Sequence, residues 1–192
     1  MNNEMNKKLA SYSSYLLAPP FMNFLLFLIL SGKSERPEFM LGISFLFGVF
    51  LPVLVFIYLR KKKRIVNDDA TVKEERTLPY LIGAVFCLVA AGIFNYSKIE
   101  SLFVNLWIVY FITSLTITII NKYWKISAHA MGAAIPLGVL LYLGNGFSLL
   151  FLIFLIIIMW ARLTLRVHTV AQVFWGAVVG SVIPIIILRI MS

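Results

Sequence analysis

Residues 160–180 read W-A-R-L-T-L-R-V-H-T-V-A-Q-V-F-W-G-A-V-V-G, a short basic corner between two apolar runs. The runs on either side, residues 147–160 and 169–188, are almost free of charge, so the corner marks where one apolar helix stops and the next starts. It holds His168, one of only 2 histidines in the chain, with Arg162 and Arg166 upstream of it. The other, His129, stands in Y-W-K-I-S-A-H-A-M-G at residues 123–132, where a second basic loop turns into an apolar run.

The same pattern extends outward over the whole chain. Of the 192 residues, 61% are hydrophobic and 13% charged, and mean hydropathy is +0.94; a soluble domain of this size has too little interior to hide that much apolar surface. An all-α integral membrane protein is expected, a bundle of about six or seven transmembrane helices forming one transmembrane domain over residues 1–192. Candidate spans are residues 12–30, with Pro19-Pro20 near the entry, 39–59, interrupted by Pro52, 79–96, 102–120, a short one from Ser127 or His129 to the G-N-G at 144–146, another short one at 147–160, and 169–188. The polar start M-N-N-E-M-N-K-K leads into a first run without a small-residue cleavage site, which reads as a retained span. The one cysteine, Cys87, lies in an apolar run and reads as a small buried hydrophobe, so neither a disulfide framework nor a thiolate cluster is expected.

The net charge of +9 sits in short loops, where lipid headgroups and anionic substrates are the natural partners; with no basic helix and no RNA-binding motif, no nucleic-acid partner is expected. Seven spans put the N-terminus and the loops at 60–78, 121–128 and 162–168 on one side. That side carries thirteen of the 17 basic residues, among them R-K-K-K-R at 60–64, and the other side only Lys33, Arg36, Lys98 and Arg189. By the positive-inside rule the histidine corners face the cytoplasm, and in a bacterium the host is the inner membrane. Nothing in the pattern fixes an oligomeric state.

Beyond Glu100 the sequence contains no Asp or Glu. Both histidines lie in that half, so a two-metal phosphatase or a zinc site with a glutamate base has no ligands there, and no metal ion or cofactor is expected. Asp68-Asp69 has no second acidic motif to work with, which argues against a metal-dependent prenyltransferase. The groups that remain, imidazole, guanidinium, ammonium and hydroxyl, suit metal-free phosphoryl transfer, in which one imidazole attacks phosphorus, another protonates the leaving oxygen and cations neutralise the rest. His168 and His129 each fall at a helix N-terminus, where the dipole and the first-turn amides favour an anion. Ser127 adds a hydroxyl, Arg162 and Arg166 stand one turn apart if the corner is helical, and Gln172, four residues after His168, can accept a proton from one ring nitrogen.

These residues carry a resemblance. Arg162, five residues, His168, three residues and Gln172, followed by F-W-G-A-V-V-G, resembles the third motif of the type 2 phosphatidic acid phosphatase superfamily, in which Ser-Arg, His and Asp have that spacing. Ser127-Ala128-His129-Ala130 is similar to its Pro-Ser-Gly-His motif, and Lys73 with Arg76-Thr77-Leu78-Pro79 is a loose version of its first. The resemblance covers residues 73–180, which would form a phosphatase-like core acting on a phosphorylated lipid. It implies His168 as the nucleophile of a phosphohistidine, His129 as general acid, and Arg162, Arg76 and Ser127 as a phosphate cradle, with Lys73 and Arg166 as further contacts. The chain departs from the family at Ala161, Ile126 and Ala128, and at Gln172, which stands where the family has the aspartate that charges the nucleophile. A relative that binds a phosphorylated lipid without turnover, as carrier, flippase or scaffold, is the alternative that Gln172 motivates.

Other features have plainer readings. Trp107, Trp124, Trp160 and Trp175 lie near span ends and read as interfacial anchors, R-K-K-K-R as a topology signal, and Gly176 and Gly180, spaced G-x-x-x-G, as a close-packing face.

Overall fold

The computed structural model describes residues 2–66, 72 and 74–191, with side chains from Glu4 onward. All regular structure among them is helical: α1 Asn2–Leu16, α2 Pro19–Leu30, α3 Pro37–Phe45, α4 Leu51–Lys61, α5 Thr77–Tyr96, α6 Ser101–Tyr123, α7 Ala128–Tyr142, α8 Ser148–Thr164 and α9 Val170–Met191. Each expected span is helical, and the protein is an all-α integral membrane protein. Pro37–Lys61, Glu74–Tyr96, Ser101–Tyr123 and Val170–Met191 are each long and apolar enough to cross a bilayer, and the first apolar stretch is a pair of helices, Glu4–Leu16 and Pro19–Lys33, bent by 52° at the break. The 15 residues of α7 and 17 of α8 are apolar but, at 1.5 Å per residue, about 22 and 25 Å long, less than a hydrocarbon core of roughly 30 Å. The expected six or seven crossings thus resolve into four complete ones, one bent pair and two short helices.

Both irregular passes trace to proline. Pro19 and Pro20 have no N–H to continue α1, so its hydrogen bonds end at Leu17 and Ala18, and α2 restarts from the Ala18 carbonyl, which accepts from Phe21 and Met22 at 3.0 and 3.1 Å. In the second pass, Pro52 removes one donor from a continuous helix, and the backbone widens to a π-turn over Leu46–Phe50 just before it.

The chain divides into two compact units, one of Met1–Asn23 with Ile126–Ser192 and one of Phe24–Lys125. The stretch 73–180, expected to form one core, is therefore shared between them: Arg76 belongs to the second unit and Ser127, His129, Arg162, Arg166, His168 and Gln172 to the first. Lys73 and Asp68-Asp69 lie outside the described residues.

In the unit of Phe24–Lys125, α5 and α6 form an antiparallel hairpin joined by the tight turn at residues 97–100. Its core is aromatic. Phe27 stacks on Trp107 at 5.2 Å between ring centroids and on Phe103 at 6.3 Å, and Phe94 meets the Trp107 ring edge-on. Trp107 is only 2% exposed, which corrects its reading as an interfacial anchor: the second turn of α6 turns it inward. Trp124, Trp160 and Trp175 are 37, 42 and 51% exposed, as anchors would be. Three threonines of α6 are satisfied within the helix, Thr113, Thr116 and Thr118 each donating to the carbonyl four residues earlier at 2.7, 2.8 and 2.7 Å.

At one end of this unit Glu100 clips two loops together. Its carboxylate accepts from the Ser34 hydroxyl at 2.9 Å and from the Glu35 amide, while Arg36 Nη1 donates to the Ser97 carbonyl at 3.2 Å. Partial burial pushes the Glu100 carboxyl up, but the bonds from the Glu35 amide, its own amide and the Ser34 hydroxyl outweigh it and hold the group below its ordinary value.

In the other unit α7 is central: Ala130 to Leu140 is buried without a break. A helix covered all round needs no bulky lipid-facing side chains, and its alanines and glycines let neighbours come close. The closest is α9. Ser127 N–H donates to the Gln172 carbonyl at 3.1 Å, and the contacts then advance along both helices together, Gly176 against Ser127 and Ala130, Gly180 against Met131 and Ala134, Gly138 against Ser181. The two helices are therefore parallel, with α8, which connects them in the chain, packed mainly on α7 and α1 packed against α8.

Gly180→Ala would drive a methyl group into the Met131 carbonyl and to 2.9 Å from the Ala134 Cβ, and because the first obstacle is backbone it cannot be relieved by a rotamer change. The variant is expected to lose about 1–3 kcal/mol, measured as a fall in Tm in detergent; an unchanged Tm would mean the helices are not in backbone contact. For Glu100 the depressed folded pKa means that its share of stability is present above the ordinary value of 4.5 and is lost as pH falls through the folded value. The thermal stability of the wild type is expected to drop on acidification below that point, and Glu100→Gln is expected to remove that part of the pH dependence.

Candidate functional site

The parallel α7 and α9 bring their N-termini to one corner, and α8 ends there too. His168 precedes α9 and is 8% exposed. Its Nδ1 lies 3.1 Å from Gln172 Oε1, and the same oxygen accepts the Thr169 N–H at 3.1 Å. In return Thr169 Oγ1 accepts the Gln172 N–H at 3.3 Å. Thr169-Val170-Ala171-Gln172 is thus a capping box: a threonine N-cap and a glutamine three residues on, each satisfying the other's backbone amide. The T-x-x-Q before an apolar run is legible in the sequence, yet the 168–172 spacing alone had suggested only a partner for histidine.

The box settles which ring nitrogen of His168 carries the proton. Because the Thr169 N–H needs an acceptor, the side-chain atom facing it is the carbonyl oxygen of Gln172 and not its NH2. That oxygen has no proton to give, so Nδ1 must donate to it, and in the neutral imidazole the lone pair is on Nε2. The contact expected from the four-residue spacing, between Gln172 and one ring nitrogen of His168, is present.

Ser127 caps α7. It is fully buried, and its Oγ accepts the Ala130 N–H at 3.3 Å while its own N–H is held by the Gln172 carbonyl. His129 follows in the first turn of α7 and is partly buried. The caps use the N–H groups of Ser127, Ala130, Thr169 and Gln172, the residue before each helix and the last of its first turn.

Arg162 lies in the last turn of α8 with no exposed surface, and its Nη1 donates to Ser14 Oγ, on α1, at 2.7 Å. Ser14 is itself 5% exposed. No sequence signal links two residues 148 positions apart, and Ser14 was missed for that reason. A buried guanidinium needs acceptors such as the Ser14 hydroxyl to offset the cost of its desolvation.

Arg166 departs from the helical pairing with Arg162. α8 ends at Thr164, and Arg166 takes a left-handed conformation, φ 55°, in a Schellman turn whose amides bond back from Arg166 to Leu163 at 3.0 Å and from Val167 to Arg162 at 3.4 Å. Its side chain is exposed while that of Arg162 is buried, so the two do not share a helix face. Arg76, in the other unit, is buried at the start of α5. Among the described residues no three or more His, Cys, Asp or Glu side chains cluster as metal ligands would. Known protein families, curated proteins and solved structures yield no match to the chain.

Nitrogen NMR of the purified protein labelled at histidine is expected to show the neutral His168 ring protonated at Nδ1 and not at Nε2. Thr169→Ala should keep that tautomer while costing about 1 kcal/mol of stability through the lost cap. Gln172→Leu should release the ring to a mixture. An Nε2-protonated ring in the wild type would overturn the assignment.

Proposed function

We propose that the protein is a membrane-embedded, metal-independent phosphatase of a lipid phosphate or isoprenyl (di)phosphate that works through a phosphohistidine. The observation that carries this reading is the His168 ring, oriented by a carbonyl oxygen that is itself pinned by the Thr169 N–H, at a corner that also holds His129, Ser127 and a buried Arg162. In the proposed reaction the Nε2 lone pair of His168 attacks phosphorus and the bond to the lipid oxygen breaks. His129 gives that oxygen its proton. Water then attacks the phosphohistidine, with His129 taking the proton, and inorganic phosphate leaves with His168 restored. Arg162 and the Ser127 hydroxyl stabilise the charge on the transferring group. The motif spacing of residues 162–172 and the absence of carboxylates beyond Glu100 support the same reading, and the excess of cations in the loops of that side supports a cytoplasmic corner.

A second reading is a protein that holds a phosphorylated lipid without turnover. Gln172 favours it, because a neutral amide orients the imidazole but does not stabilise the cation that forms on attack, an effect of about one to a few kcal/mol.

The test is phosphate release by purified protein from phosphatidic acid, phosphatidylglycerol phosphate and undecaprenyl diphosphate. His168→Ala is expected to reduce release at least about a thousandfold. Gln172→Glu keeps an acceptor of the length the capping box needs and adds the charge, and is expected to raise the rate by about 10- to 1000-fold. Release that survives in His168→Ala would overturn the proposal, and tight vanadate binding without release in either form would establish the binder.

A further inference from the structure

α1 is unlike the other helices. Its sequence N-N-E-M-N-K-K-L-A-S-Y-S-S-Y-L is polar on average, yet Met5, Leu9, Tyr12 and Leu16, spaced i, i+4, i+7, i+11, form one stripe and are 58, 52, 67 and 74% exposed. On the opposite face Ala10 and Ser14, 0 and 5% exposed, pack toward α8. Glu4 and Lys8 occupy the sector between these two faces and are exposed, and Lys7, also exposed, stands two turns before Ser14 near the start of the helix. The helix therefore has three surroundings: protein on one side, water on the next and an uncovered apolar stripe on the third. It also meets α2 at 52°, and α2 continues as an almost wholly apolar helix.

We infer that α1 is a membrane-surface helix that ties the bilayer to the phosphate corner: its stripe lies in the headgroup and acyl boundary of an anionic lipid surface, and Ser14 on its other face positions Arg162. Three observations choose lipid as the occupant. α2 carries the chain into the hydrocarbon directly from the Leu16 end, so that end of the stripe is at the membrane already. Lys8 flanks the stripe, as cations do in helices that lie on anionic lipid. A second copy docked stripe to stripe would bring the two Lys8 residues toward each other. The role of Ser14 follows from its 2.7 Å bond to Arg162 Nη1 in a place where neither group reaches bulk water. That half of the inference rests on the proposed phosphatase site; the lipid contact does not.

The experiment uses the full chain with Cys87→Ser, reconstituted in vesicles of anionic phosphatidylglycerol and phosphatidylcholine, with single spin-labelled cysteines along α1. Labels at 5, 9, 12 and 16 are expected to be more accessible to oxygen than to a water-soluble nickel chelate, those at 4, 8 and 11 the reverse, and the label at 5 to sit less deep in pure phosphatidylcholine. Water exposure at all four stripe positions would overturn the lipid assignment, as would strong spin coupling between copies, which would put a second chain on the stripe; equal depth at 5 in both lipids would remove the anionic contribution. For Ser14, Ser14→Ala is expected to weaken vanadate binding about ten- to a hundredfold and Ser14→Thr to restore it. Undiminished binding in Ser14→Ala would overturn its positioning role. A wild type that binds no vanadate would overturn the phosphate-site reading and the coupling with it, while the label pattern would still decide the lipid contact.

Discussion

Much of the unit that holds the histidine corner depends on one close approach, that of α7 to α9. Carbonyls of Ser127 and Met131 lie where Gly176 and Gly180 have no side chain, and the Ser127 N–H bonds to the Gln172 carbonyl at the end where both helices begin. In lipid, apolar burial does not draw helices together, so association comes from dispersion and backbone contacts that only small residues allow. Parallel helices in such contact put two positive dipole ends side by side. That arrangement is unfavourable in itself, and the side-chain oxygens that Ser127 and the Thr169–Gln172 box set on amides at the two helix starts offset part of it.

The opposite helix ends obey a matching rule. α4, α5, α7 and α8 each end in a turn with a left-handed residue, and these are Lys63, Lys98, Gly144 and Arg166, with φ of 54, 55, 60 and 55°. Glycine adopts that conformation without strain, whereas a side chain there costs on the order of 1 kcal/mol. At three of the four ends the residue is a cation, placed beside carbonyls that carry the negative end of the dipole, and that attraction offsets part of the strain. The same choice explains why Arg166 is not a companion of Arg162: its position serves the end of α8 and turns its side chain outward.

This is also where the sequence ceases to be legible. The helices could be read from it because apolar runs in lipid have no other way to satisfy their backbone. His168, His129, Ser127 and Gln172 could be placed at helix starts because a change from basic loop to apolar run is a local signal. Helix length was legible as well, α7 and α8 being expected as short runs and having 15 and 17 residues, whereas the enclosure of α7 is a property of the packing. The division at Lys125 and Ile126 left no mark in composition, nor did the pairing of Ser14 with Arg162, since the partners of a buried cation are set by which helices pack together. Trp107 was misread for a related reason: position near a span end gives its depth in the membrane but not the side of the helix it faces.

Gln172 shows how local and tertiary constraints meet in one atom. Replacing a triad aspartate by an amide is usually damaging for two reasons: the amide can turn its NH2 toward the histidine and reverse the tautomer, and the charge that stabilises imidazolium is lost. Here the first cause is absent. The Thr169 N–H requires the carbonyl oxygen of Gln172, and that oxygen then faces His168 Nδ1, so the helix start holds the amide the right way round. What a carboxylate at 172 would add is charge, which bears on the imidazolium of the proposed reaction and not on the geometry of the resting ring. A neutral residue at 172 is therefore compatible with an oriented imidazole, because a threonine three residues earlier fixes its orientation.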